Sequence, residues 1–175
     1  MARNLAAWSD EEVKTLIKRY KERGLKSGGL YTLAELQLEL ARRVKAPHDP
    51  KDFAACILIL AAQSPNRRVT FGALFEYYNG RPPRGHGDIK TITASLERLG
   101  AYCHDRGLPI ISTLVVNQAT GEMTNNAVHN VWNYLRQIDP TTPNDPAAFV
   151  AEQVTRAERL SPESLEAAAL SPLAA

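Results

Sequence analysis

Apolar residues recur at helical spacing near the start of the chain, and polar residues mark where each apolar stretch begins. The first stretch repeats apolar residues three and four positions apart, at Val13, Leu16, Ile17 and Tyr20. This pattern predicts an amphipathic helix. Ser9 and Glu12 precede the stretch with the spacing of a capping box, and Thr32 and Glu35 open a second helix in the same way. Residues 1–46 are therefore predicted to form an N-terminal helical pair.

Three more helices are predicted in the middle of the chain. The most apolar one covers 53–63 and follows Asp52, which can cap it; Thr70 can cap the next. Asp88 is placed to cap a fifth helix over 88–104. Its apolar face is formed by Ile89, Ile92, Leu96, Leu99 and Cys103. We interpret this face as core, with a homodimer seam as the alternative use.

The last third of the chain predicts one strand and two helices. β-branched residues are dense over 110–116, which is typical of a strand, and a turn follows at 119–121. Helices are predicted over 128–138 and over 146–160. Residues 161–175 carry too little apolar patterning to predict packing and are expected to form a flexible tail.

The order of the central elements resembles a winged helix-turn-helix. Helix, short segment, helix, loop, helix, strand and turn follow one another over about 53–121. The resemblance implies that the helix after the loop enters the major groove of DNA and that the strand and turn form a wing beside the backbone. Nine donors for phosphates and base edges lie in and around this loop and helix, in addition to Ser95. They are Arg67, Arg68, Arg81, Arg84, His86, Lys90, Thr91, Thr93 and Arg98.

The predicted fold is therefore mainly α with a small β element. Its winged-helix-like core spans 47–121 and is flanked by the helical pair of 1–46 and by C-terminal helices over 122–160. A different interpretation of the helix at 88–104 is that its polar side is only the solvated face of a packed helix, since Asp88 and Glu97 dilute its charge.

Three shorter resemblances add little chemistry. The stretch from Val69 to Leu74 is similar to the start of the DNA-binding helix pair in alkyltransferase-like repair proteins, but the nucleophile motif Pro-Cys-His-Arg is absent. The opening from Trp8 to Glu12 resembles Myb-type helical domains, without their later aromatic residues. The stretch from Gly107 to Gly121 is similar in part to small bacterial and phage proteins.

Charge is unevenly distributed along the chain. Residues 1–106 hold 18 lysines and arginines against 12 acidic residues, whereas residues 107–175 hold 3 against 7. The N-terminal portion is thus the better candidate for an anionic partner, and the acidic C-terminal portion would repel one.

Other features bound the class of protein. The longest apolar run, 53–62, is too short to cross a bilayer, and the N-terminus lacks a stretch of signal-peptide type. Cys56 and Cys103 lie among apolar neighbours, which favours buried thiols in a cytoplasmic protein. No membrane association is expected.

Enzymatic chemistry is not predicted. The four histidines share no spacing that places two on one helix face, and the cysteines have no metal-ligand spacing. Cys103 and His104 are adjacent, so on a helix their side chains diverge and do not form a dyad. Phosphate-binding glycine motifs are absent as well. We expect no metal, no cofactor and no catalytic activity.

Two functional hypotheses follow from the sequence. The first is a DNA-binding regulatory or phage-type protein that contacts double-stranded DNA through the helix at 88–104 and the loop at 80–87. The second is a non-enzymatic protein-interaction module, such as a small inhibitor or adaptor, on a winged-helix scaffold. Tyr77 and Tyr78 are adjacent and cannot both face inward, so one of them is available to a partner.

Overall fold

The computed structural model describes residues 4–123, 132–133, 135–136 and 142–165. Its long elements are the helices α1 (Asp10–Glu22), α2 (Leu33–Arg42), α3 (Pro50–Gln63), α4 (Phe71–Asn79), α5 (His86–Asp105) and α6 (Pro146–Ala157). Short 3-10 helices lie at Leu5–Ala7 and Ile111–Leu114, and the strands are β1 (Val69–Thr70) and β2 (Val115–Val116). The prediction of a mainly α fold with a small β element is confirmed. Within these residues, no helix is both long and apolar enough to cross a membrane.

The capping pattern of the first two helices is confirmed. The Glu12 carboxylate accepts the Ser9 N–H at 2.6 Å, while the Ser9 hydroxyl accepts the Glu12 N–H at 3.2 Å. Thr32 and Glu35 repeat the same two bonds at 2.6 and 3.2 Å. Thr70 caps α4 as predicted. Each cap satisfies N–H groups that the first helical turn leaves without a partner.

The predicted starts of α3 and α5 are wrong. The cap of α3 is Asp49, whose carboxylate accepts the N–H groups of Lys51 and Asp52. Pro50 therefore occupies the first helical position, where the lack of an N–H costs nothing. Helix α5 begins at His86, so Asp88 lies inside its first turn.

One core joins α3, α4, α5 and the segment that follows α5. The large side chains that are completely buried there include Phe53, Ile57, Leu74, Ile92, Leu99 and Ile111. Ile92, Leu99 and Cys103 of α5 are all fully buried in this core. The interpretation of the apolar face of α5 as core is therefore confirmed, and these side chains cannot also form a dimer seam.

The predicted strand over 110–116 is shorter than expected. Only Val115 and Val116 pair with β1, in parallel and in the register Val69 to Val115 and Thr70 to Val116. The preceding residues turn into the 3-10 helix, where Thr113 bonds the Ile110 carbonyl through both its N–H and its hydroxyl. Since β1 offers only two residues for pairing, other backbone groups of this buried segment find partners outside the sheet: the Thr113 N–H locally, and the Ile110 N–H in the side chain of Gln153. The predicted turn is present, with the Gly121 N–H donating to the Asn117 carbonyl at 2.8 Å.

The N-terminal helical pair has a small core of its own and packs on α5. Leu5, Val13, Ile17, Tyr20 and Leu36 are buried together between α1 and α2. On the other side of α2, Leu38 and Ala41 are buried against Ala101 of α5.

The C-terminal portion contributes to the main core. Asp145 caps α6 by accepting two N–H groups, and Phe149 is buried beneath that helix. The predicted helix over 128–138 lies mostly outside the described residues, although Leu135 is buried. Leu165 is also buried in the core. The prediction of a flexible tail is therefore wrong for 161–165, and 166–175 lie outside the described residues.

Candidate nucleic-acid interface

The loop between α4 and α5 is fixed to the first turn of α5 by Arg81. The Arg81 guanidinium donates to both oxygens of Asp88, at 2.9 and 3.3 Å, and lies 5.0 Å from the centre of the Phe75 ring. The loop begins at Gly80, whose φ of 63° closes α4 in the left-handed conformation. Arg81 was expected to face DNA, but the structure uses it to shape the loop.

Asp88 connects this loop to α5 a second time. Its carboxylate accepts the backbone N–H of Arg84 at 2.8 Å. The Arg81 guanidinium first, and the Arg84 N–H second, hold the pKa of Asp88 below its usual range. The carboxylate therefore remains ionised at neutral pH and keeps the Arg84 backbone beside the start of α5. The sequence pattern predicts a capping role for Asp88 and does not indicate this pairing with Arg81.

The end of the loop before α5 and the stretch of α5 up to Arg98 present cations to solvent. Arg84, Lys90 and His86 are exposed, and Arg98 is half-buried. No ion pair joins Arg84, Lys90 or Arg98 to an acidic residue within the described part of the chain. We call these three residues, together with His86, Thr91 and Thr93, the α5 face. It is the broad exposed side of the helix, with Thr91 and Thr93 at its two edges, about 160° apart at about 3.6 residues per turn. Glu97 is exposed on the same helix and offsets one of the three charges.

The threonines of the α5 face use their hydroxyl protons within the helix. Thr91 donates to the Asp88 carbonyl at 2.7 Å, and Thr93 donates to the Ile89 carbonyl at 3.1 Å. Both side chains are exposed, so each offers solvent a methyl group and an oxygen that can accept a hydrogen bond. They are not free donors, contrary to what the sequence predicts.

Ser95 does not belong to the exposed face. It is buried, and its hydroxyl lies 2.7 Å from Nδ1 of His48 and donates to the Thr91 carbonyl at 3.0 Å. His48 stacks on Phe53, with ring centres 5.0 Å apart, and contacts the Tyr78 ring at 4.0 Å. Burial lowers the pKa of His48. This aromatic cluster supports α5 from its inner side.

Arg67 and Arg68 are committed to the end of α6. Arg67 donates to the Glu158 carbonyl at 2.7 Å, and Arg68 pairs with the Glu158 carboxylate at 2.5 Å. Both cations thereby stabilise the C-terminal end of the helix, where carbonyl groups point outward. The structure does not bring them together with the α5 face through any described contact.

The second half of α5 is covered by α2. The Arg42 guanidinium grips the Asp105 carboxylate with bonds of 2.8 and 2.6 Å. Ala101, which α2 buries, lies seven residues after Ala94, and so on nearly the same side of the helix. The stretch of α5 that α2 leaves open to a large partner on this side therefore runs from His86 to Arg98.

The remaining reactive groups give little chemistry. Burial raises the pKa of Cys103 to about 12, so its thiol stays protonated at neutral pH. No group of three potential metal ligands is found in the part of the chain that the structure describes.

No protein-family model, curated protein or solved structure matches this chain. A functional assignment therefore depends on the geometry and charge of the α5 face.

Proposed function

We propose that the protein binds double-stranded DNA through the α5 face, in a regulatory role. The observation that carries this proposal is the set of three cations without acidic partners: Arg84 on the loop before α5, and Lys90 and Arg98 on the open stretch of that helix. Other arginines of this region have partners within the fold: Arg68 and Arg81 bind acidic residues, Arg67 donates to the Glu158 carbonyl, and Arg106 lies 4.1 Å from the centre of the Tyr102 ring. Cations that remain unpaired on one surface are suited to phosphate groups.

The order of elements supports a winged helix-turn-helix mode of binding. Helices α3, α4 and α5 are connected through β1 and a short loop, and β2 follows α5 beside β1. In helix-turn-helix proteins the N-terminal residues of the recognition helix contact the bases. The N-terminal residues of α5 belong to the stretch of the helix that α2 leaves open.

The turn at 117–122 is the proposed wing. It follows β2 directly, and its ends are joined by the Asn117 N–H donating to the Glu122 carbonyl at 2.9 Å. Residues 107–123 contain no lysine or arginine. A contact between this turn and DNA would therefore use neutral groups such as those of Gln118 and Thr120.

The α5 face divides into two kinds of contact. Arg84, on the loop, is assigned to phosphates, and Lys90 to a phosphate or a guanine edge. Arg98, which lies further along the helix than the residues expected to contact bases, is assigned to a phosphate. The Thr91 and Thr93 methyl groups suit the methyl group of thymine, because their hydroxyl protons are already used within the helix.

The test is the variant Arg84→Ala/Lys90→Ala. Its binding to a random-sequence duplex is measured by fluorescence anisotropy between about 50 and 200 mM salt. Loss of two phosphate contacts should weaken binding by roughly tenfold and reduce the slope of log K against log salt by about 2. Unchanged affinity and slope would contradict the proposal.

The matched control removes two charges elsewhere. Lys14→Ala/Lys18→Ala deletes two exposed lysines that pair with Glu11 and Glu22 on α1. This variant has the same net charge as the test variant and should bind DNA like the unmodified protein. An equal loss in both variants would mean that total charge, and not the α5 face, determines binding.

The second candidate function is a protein-interaction module, which Tyr77 favours. Its side chain is 57% exposed, beside the Arg81 loop, and it contacts Tyr78 edge to face at 5.3 Å. Exposed tyrosines are frequent energetic centres of protein interfaces. Under this function the protein would not bind the duplex even at a low salt concentration of about 50 mM. Tyr77→Ala would weaken the binding of a protein partner, and this loss would depend little on salt.

A further inference from the structure

A second group of unpaired cations lies at the end of α1 and in the loop that follows it. Its members are exposed and form no ion pair in the described part of the chain: Arg19, Lys21, Arg23 and Lys26. The earlier lysines of α1 differ, because Lys14 bonds Glu11 at 3.1 Å and Lys18 lies 3.8 Å from Glu22. We call residues 19–30 the α1 tip.

The loop of the α1 tip has a defined shape. The Tyr20 hydroxyl donates to the Tyr31 carbonyl at 2.8 Å, and the Leu33 N–H donates to the Lys26 carbonyl at 2.9 Å. Gly29 lies so close to Tyr20 that an added Cβ would be 2.7 Å from the hydroxyl oxygen. These contacts close the loop and hold its backbone against Tyr20.

Two leucines stand in solvent within this closed loop. Leu30 is 72% exposed and Leu25 is 43% exposed. Leucine side chains gain free energy when they leave water. A ligand of the α1 tip should therefore offer apolar surface next to its anionic groups.

The packing of α1 argues against a lipid bilayer as that ligand. The apolar stripe of α1, represented by Val13, Ile17 and Tyr20, is buried against α2. Helices that lie on membranes need a free apolar face along their length, and two leucines in a loop are a small substitute. DNA grooves combine phosphate edges with base steps that accept apolar side chains such as leucine.

We propose that the α1 tip is a second DNA-binding surface, in which the four cations contact phosphates and Leu30 enters a groove. The choice of ligand rests on the proposed function, since the same polyanion would neutralise both groups of unpaired cations. The α1 tip belongs to the N-terminal helical pair and is separate from the α5 face in sequence.

The charge test compares Arg23→Gln/Lys26→Gln with Lys14→Gln/Lys45→Gln, using a random-sequence duplex and the salt titration described above. All four side chains are exposed, and both variants lose two positive charges. The first variant should bind roughly tenfold more weakly at low salt, with the slope reduced by about 2. The second should match the unmodified protein, and equal effects in the two variants would overturn the proposal.

The leucine test uses Leu30→Ser. Removing an apolar contact should weaken duplex binding by about threefold or more while leaving the salt slope unchanged, because no phosphate contact is lost. Circular dichroism should show unchanged helicity, since the side chain is exposed. Full affinity in this variant would overturn the assignment of Leu30 to a groove.

The outcomes separate this inference from the proposed function. If Arg84→Ala/Lys90→Ala binds weakly and the α1-tip variant binds normally, the second surface is disproved alone. The reverse pattern disproves the α5 face and leaves the α1 tip. Absence of duplex binding by the unmodified protein, or tip-dependent binding only to vesicles of phosphatidylglycerol, would overturn the proposal of a DNA ligand.

Discussion

His48 is a residue whose protonation should affect the stability of the fold. If the Ser95 hydroxyl donates its only proton to the Thr91 carbonyl, then His48 must donate to Ser95 from Nδ1. Nε2 is then the nitrogen that gains a proton in acid. The added charge would arise between Phe53 and Tyr78, where burial already lowers the pKa of the imidazole.

We therefore expect the free energy of unfolding to decrease as the pH falls from about 7.5 to about 5. A histidine whose pKa is lower in the folded than in the unfolded state contributes its full stability above the unfolded pKa of about 6.5. That contribution is lost as the pH falls through this value towards the folded pKa. Urea unfolding of the unmodified protein and of His48→Phe at both pH values measures the effect.

The control for this experiment is the decrease in the free energy of unfolding of His48→Phe over the same pH interval. His48→Phe keeps an aromatic ring beside Phe53 and Tyr78 but cannot titrate, so its stability should vary less over the same pH interval. An identical decrease in both proteins would assign the pH dependence to other groups.

A second prediction at this scale concerns the helix caps. Thr32→Ala removes the hydroxyl that accepts the Glu35 N–H and should lower the free energy of unfolding by about 1 kcal/mol. Thr32→Ser keeps the hydroxyl and should cost much less. Thermal or urea unfolding compares the two, and equal losses would show that the cap contributes nothing.

These caps also show what a sequence reveals at the level of single residues. Ser9, Thr32 and Thr70 were predicted correctly because a cap depends on residues within one helical turn. Asp52 and Asp88 were misassigned because another residue decided each case. Asp49 with Pro50 forms a better cap for α3, and Arg81, seven residues away, binds Asp88.

At the scale of elements, α5 is held on three sides by different means. The core buries its apolar face, the Arg81–Asp88 pair fastens the loop to its first turn, and α2 covers its second half. Hydrophobic periodicity predicted the first of these contacts. It could not predict the other two, since both depend on which elements become neighbours in space.

The contact between α2 and α5 can be measured with a double-mutant cycle. Arg42→Ala, Asp105→Ala and the double variant should give a coupling energy of roughly 0.5–1 kcal/mol, because the pair is bidentate but partly exposed. Additive effects of the two substitutions would indicate that apolar packing around Ala101 alone joins these helices.

In the segment between α5 and β2, the residue pattern predicts burial correctly but does not predict how short the strand is. Its β-branched residues favour a strand, and every residue from Ile110 to Val116 is indeed buried. However, β1 provides only two residues for pairing, and Gln153 of α6 accepts the Ile110 N–H at 2.9 Å. Tertiary contacts thus replace most of the predicted ladder.

At the scale of the whole molecule, the C-terminal portion completes the core. Leu165 is buried with the side chains of α3 and α6, although its sequence context predicts a tail. Leu165→Ala should lower the free energy of unfolding by about 2–4 kcal/mol, as expected for a fully buried leucine. Leu30→Ala, at an exposed position, is the control and should change stability little.

Under the proposed DNA-binding function, the contact of α2 with α5 limits how many base pairs one chain can contact. The open stretch from His86 to Arg98 is about 20 Å long at about 1.5 Å per residue, which matches at most about six base pairs at about 3.4 Å each. A DNA sequence of about six base pairs recurs by chance every few thousand base pairs, whereas a genome presents on the order of a million competing sites or more. Selective binding to one genomic site would therefore require two chains bound side by side, or one chain with a second DNA contact.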